Sequence, residues 1–170
     1  DVATGIVQRY LGKNISVNLG KLDAILNESE QVKGEVFKPT ERIKLYVIEV
    51  KETQRDPRIT VSRSHPDLVK RLFESEVAEV RDGTVEIKSI AREAGSRTKI
   101  AVYTEDENVD PVGACIGNRG GRISSILNEL HGEKIDIVKY SEQPEEYVLA
   151  ALSPASVKSV AMDGERSCRV

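Results

Sequence analysis

The run PVGACIGNRGGRISSILNEL at 111–130 admits few folds. Pro111 suits the first position of a helix, with Asp110 as its N-cap. Val112, Cys115 and Ile116 give that helix one apolar face. The pattern breaks at Gly117-Asn118-Arg119-Gly120, and a second helical face resumes at Ile123, Ile126, Leu127 and Leu130. Two short helices therefore meet at a tight loop whose glycines admit angles and close approaches that side chains forbid. Arg119 and Arg122 add positive charge beside the free amides that open the second helix, which suits a phosphodiester.

Other uses of these glycines are narrower. A dinucleotide fingerprint needs G-x-G-x-x-G directly after a strand, and a phosphate-cradling P-loop needs G-K-[ST]; neither is present. A plain helix–turn–helix would use the glycines for geometry alone. The arginine between them and the second one at the next helix start favour a ligand.

Ahead of this run, residues 1–62 show short apolar alternations: Ile6 and Val7; Ile15, Val17 and Leu19; Ile43, Leu45 and Val47; Ile59 and Val61. Turn-prone Gly12-Lys13-Asn14, Gly20-Lys21 and Arg55-Asp56-Pro57 separate them. Five short strands with no helical period fit a small closed barrel, which removes strand edges. Ser64 is then expected to cap a helix carrying Leu68, Val69, Leu72, Phe73 and Val77 on one face, joining the barrel rigidly to the next module. Strands are expected at 84–91, alternating cleanly, and at 98–104. Another is expected at 134–140, after a helix stop at His131-Gly132. The tail reads as a helix at 145–152 followed by a strand at 156–162, with Ser153-Pro154 between them.

The loop run has the form VGACIGNRGGRI, and with DPV before it and GEKIDIV after it resembles the first KH domain of the NusA family of bacterial transcription factors. The helix–strand–strand–helix–GxxG–helix–strand order matches the type II KH fold. Residues 1–62, with Gly5 to Val7, Asn27 to Glu30, Arg42 to Val50 and Ile59 to Ser62, resemble an S1 domain. The resemblance implies a multidomain chain: an all-β S1/OB-type barrel at 1–62, an α+β type II KH domain at 63–141, and the truncated start of a second KH domain at 142–170. It also implies that the chain is a fragment of a longer protein.

Single-stranded RNA, RNA polymerase and other antitermination factors are the partners the resemblance implies, in a cytoplasmic transcription factor. Gly117, Asn118, Arg119 and Gly120 then form a loop gripping about four unpaired nucleotides, with Gly121, Arg122, Arg97 and Lys99 as further contacts. Lys134 is a weaker candidate. Ile116 and Ile123 serve the core, the base groove, or both. On the barrel, Arg9, Tyr10 and Lys13 are the RNA candidates. That module holds only Tyr10, Phe37 and Tyr46 as stacking aromatics, and ten Lys/Arg against nine Asp/Glu, so a protein-docking scaffold stands as the alternative.

The formal charge of −3 leaves any nucleic-acid contact to a local patch. Ser124 and Ser125 have no base to activate them, His65 and His131 belong to no catalytic motif, and no metal-ligand spacing occurs, so neither enzyme chemistry nor a cofactor is expected. Cys115 lies on an apolar face and reads as a reduced core thiol, and Cys168 is distant from it. No apolar run is long enough to span a membrane.

Overall fold

The computed structural model describes residues 1–170. Strands β1 (Val2–Leu11), β2 (Asn14–Asn18), β3 (Asp23–Leu26), β4 (Arg42–Lys51) and β5 (Arg58–Ser62) close into a barrel in the order β1-β2-β3-β5-β4. Neighbours are antiparallel except β3 and β5, which run parallel. Inward side chains alternate along the strands, from Ile15 and Val17 to Ile43 and Leu45, and are buried with Val7 and Phe37. The barrel is OB/S1-like. Apolar alternation marks four of its strands and hides β3, where only Ala24 and Leu26 are buried. Gly5 is the gap in the pattern: a β carbon there would stand 2.3 Å from Val17 Cγ1 and 2.8 Å from Leu45 Cδ1.

A KH-like α+β unit follows. It comprises α1 (Pro66–Glu76), the short α2 (Ala78–Arg81), β6 (Glu86–Glu93), β7 (Arg97–Tyr103), α3 (Pro111–Ile116), α4 (Gly121–Glu129) and β8 (Lys134–Lys139). The sheet order is β6-β7-β8, antiparallel then parallel. Helices cover one face, where Leu68, Leu72, Phe73, Cys115 and Ile126 meet Ile100 and Val102.

Two expectations for the KH-like unit are corrected. The α1 cap is His65, not Ser64: Pro66 takes the first helical position and His65 Nδ1 accepts the Asp67 N–H at 3.0 Å. Nor does β6 alternate cleanly. A bulge between Ile87 and Ser89 sets Ile87 opposite Val102 and Ile90 opposite Ile100, which keeps both isoleucines against the helices despite their odd spacing.

Barrel and KH-like unit are clasped directly. Tyr46 of β4 stacks on His65 at 4.6 Å and its hydroxyl donates to Asp67 at 3.2 Å. Arg63, in the connection after β5, is fully buried between the two.

In the tail, α5 (Pro144–Ala151) packs on β8. The strand expected at 156–162 begins only at Ala161: β9 (Ala161–Gly164) has a single partner, β10 (Ser167–Arg169), and pairing ends where that three-residue strand does. No helix is long and apolar enough to cross a membrane.

Candidate nucleic-acid interface

The loop between α3 and α4 turns through three left-handed residues: Gly117 (φ 79°), Arg119 (φ 53°) and Gly120 (φ 72°). Gly117 N–H closes α3 on the Gly113 carbonyl at 2.9 Å, and Gly120 N–H bonds the Gly117 carbonyl at 3.1 Å. Gly117 is required twice over. Its angle disfavours a side chain, and a β carbon would lie 2.7 Å from Arg122 Cγ, because the Arg122 stem crosses over it. Arg119 holds the left-handed angle without being glycine, a conformation costing about 1 kcal/mol or more. Such local strain is a recurrent feature of ligand-contacting loops.

Asn118, Arg119 and Gly121 are exposed, while Gly117, Gly120 and Arg122 are half-buried. Asp110 holds the N-cap position of α3 without a side-chain cap bond; its carboxylate lies instead against Gly113, where a β carbon would be 2.4 Å from Oδ2.

The six loop positions expected to act together are together. Their charges are not equivalent. Arg122 Nη1 donates to Glu79 Oε2 and to the Ala114 carbonyl, each at 2.8 Å, tying α2 and α3 to the start of α4. Arg119 takes no part in such an ion pair and presents its guanidinium to solvent.

Towards the other end of α4 a cleft of about 320 Å³ opens between that helix and the edge strand β8. Leu127 and Ile135 give it apolar walls, Lys134 a cation, and Arg97 and Asp136 complete the lining. Ile123 packs partly against the core while Ile116 is 38% exposed beside the loop.

Arg97 and Lys99 lie apart from the loop. Along β7, Thr98, Ile100 and Val102 face the helices, so Arg97 and Lys99 alternate onto the opposite sheet face. There Arg97 forks onto Asp136, with Nε–Oδ2 2.6 Å and Nη2–Oδ1 3.0 Å. That hydrogen bonding holds the Asp136 carboxyl below its ordinary range and raises the Arg97 guanidinium. Lys99 Nζ donates to the carbonyls of Ala151 and Ser153, capping the last turn of α5. On the barrel, the Tyr10 hydroxyl accepts the Phe37 N–H at 3.0 Å and Lys13 pairs with Glu28 at 3.6 Å.

Sequence reasoning missed the buried acid that lines the cleft. Glu133, buried at its floor, accepts from Arg92 Nε and Nη2 at 3.1 Å, Thr98 Oγ1 at 2.8 Å and Gly95 N–H at 2.6 Å. Arg92, at the end of β6, thus has an interior side chain; the pair's only signal in the sequence is a lone acid directly after the His131-Gly132 stop. No buried side-chain nitrogen or oxygen lacks a partner. Cys115, with no exposure, has its thiol pushed up to about 11 by burial and secondarily by Glu79.

Residues 63–140 match the family model described as the NusA-like first KH domain. The chain is 55% identical over 165 residues to the transcription termination/antitermination protein NusA of Bacillus subtilis. The chain is homologous to bacterial NusA. Against NusA of Thermus thermophilus identity is 46% over 165 residues, and against that of Mycobacterium tuberculosis 42% over 170 residues. These matches take in 95–97% of this chain but only 43–49% of the NusA relatives, so it spans less than half their length. The left-handed loop, α4 and the cleft beside β8 all fall inside the NusA-like KH match.

Proposed function

We propose that this chain binds single-stranded nascent RNA, as part of a transcription elongation, pausing, termination and antitermination factor acting with RNA polymerase. The observation carrying this reading is the exposed Asn118-Arg119 loop, held by Gly117 and Gly120 at one end of α4, with the cleft walled by Leu127 and Ile135 and a free strand edge towards the other end. Backbone amides and Arg119 take phosphates, and the cleft takes splayed bases. Gly121 leaves room for the backbone, and Arg122 braces the loop through Glu79 and the Ala114 carbonyl. The work is binding, with no reaction assigned to the chain.

Under this reading the chain divides into an S1 barrel at 1–62, a type II KH domain at 63–141 and the opening of a second KH domain at 142–170. The α5–β9 order supports the last assignment. Lys99 then serves the contact between the two KH units more directly than RNA, while Arg97 is engaged by Asp136 within the first. RNA polymerase and antitermination factors are the protein partners, and the cytoplasm is the compartment in which they meet.

The docking alternative draws on the barrel, where Leu11, Leu22 and Val50 are 40–59% exposed and Tyr10 is the exposed aromatic. Binding of short single-stranded RNAs across a salt series, to the wild type and to a chain carrying Arg119→Ala with Gly120→Asp, separates the two. Loss of binding and a shallower salt slope in a folded variant support the RNA reading; unchanged binding supports docking.

A further inference from the structure

We propose that Arg63 is a positioning residue for RNA binding, fixing the GxxG loop relative to the barrel through α4. The inference rests on the RNA reading above. Arg63 has no solvent exposure, and its guanidinium is divided between the two modules. On the barrel side it donates to Glu35 Oε2 at 2.5 Å and Oε1 at 3.3 Å, and to the Lys44 carbonyl at 3.0 Å. On the KH side it donates to Glu129 Oε1 at 2.7 Å and to the Glu129 carbonyl at 2.9 Å.

Glu129 is the last residue of α4, whose first turn follows Gly120. A cation on the final carbonyl both satisfies that acceptor and complements the negative end of the helix. The barrel grips the same end again, since the Lys44 N–H donates to Glu129 Oε1 at 2.7 Å. Glu35 also meets His131 Nδ1 at 3.1 Å, just beyond the helix. The nine residues of α4 make a rigid rod about 13 Å long. Its loop end therefore takes its position from its clasped end, and a strand of RNA lying on both modules meets two surfaces in one fixed relation. The gain from such an arrangement is effective concentration, present only for an RNA long enough to touch both.

The test uses the full chain with Arg63→Lys and, as a milder change that leaves an acceptor in place, Glu129→Gln. Affinity is measured for mixed-sequence RNAs of about four nucleotides, filling the KH groove alone, and about twelve, reaching the barrel as well. Spin labels on Lys13→Cys and Asn118→Cys, in a Cys168→Ser background, report the distance between modules. The variants are expected to hold the short RNA within about twofold while losing most of the long RNA's advantage, about tenfold, with a broadened distance distribution. An unchanged long-to-short ratio, or parallel loss of both RNAs as a purely structural role requires, overturns the proposal. A wild type that binds neither RNA overturns the RNA reading together with this one, whereas a wild type that binds both with an unaltered ratio in the variants overturns this one alone.

Discussion

Arg119 carries two opposed demands: its backbone wants glycine and its proposed ligand wants a cation. Arg119→Gly should therefore leave thermal stability unchanged or raise it by about 0.5–1 kcal/mol, yet weaken RNA binding at low salt. Denaturation and RNA titration of the same sample check this, and a parallel fall in both contradicts it. Cys115 gives a second residue-level expectation. Its folded thiol titrates near 11, above the ordinary thiol range, so the unfolded chain loses that proton first as pH rises. The associated stability is fully present below the unfolded thiol value and declines as pH climbs towards 11. Cys168, exposed at the surface, should react with a thiol reagent at neutral pH while Cys115 does so only after unfolding. The tight loop was legible in the residues because glycines at 117 and 120 leave so few alternatives. The different fates of Arg119 and Arg122 were not, since the partner of Arg122, Glu79, lies 43 positions away on α2.

At the scale of elements, periodicity reports what one strand or helix does alone and is silent where another element decides. The barrel strands with two inward apolar residues in clear alternation were readable, whereas β3 was too short to signal. The bulge in β6 hid the true facing of Ile87 and Ile90. Arg92 and Glu133 look like solvent charges in sequence and become an interior pair only because Thr98 of β7, Gly95 of the β6–β7 loop and the His65 carbonyl ahead of α1 converge on them. Glu133→Ala should consequently cost about 3–5 kcal/mol, because Arg92 is left buried and uncompensated. Gly5→Ala in β1 should cost about 1–3 kcal/mol, since Val17 and Leu45 occupy the space of the new methyl. Urea denaturation of each variant measures both; a loss below about 0.5 kcal/mol in either contradicts the corresponding packing account.

Across the whole molecule, a chain of net charge −3 must confine its RNA affinity to a small surface, and the loop, α4 and the β8 edge supply one. The order of modules was legible because each has its own periodicity. Their clasp was not, because it is built from single residues, Arg63, Tyr46 and Glu129, that no local pattern marks. The tail packs on β8, which brings the carbonyls of Ala151, the last residue of α5, and of Ser153 just beyond it onto Lys99. Backbone amide NMR of the full chain, titrated with a short single-stranded RNA, tests the central claim most directly. The account predicts the largest shifts at 117–122 and along the Leu127 and Ile135 walls of the cleft. Saturating RNA that leaves those signals in place, while moving others, contradicts it.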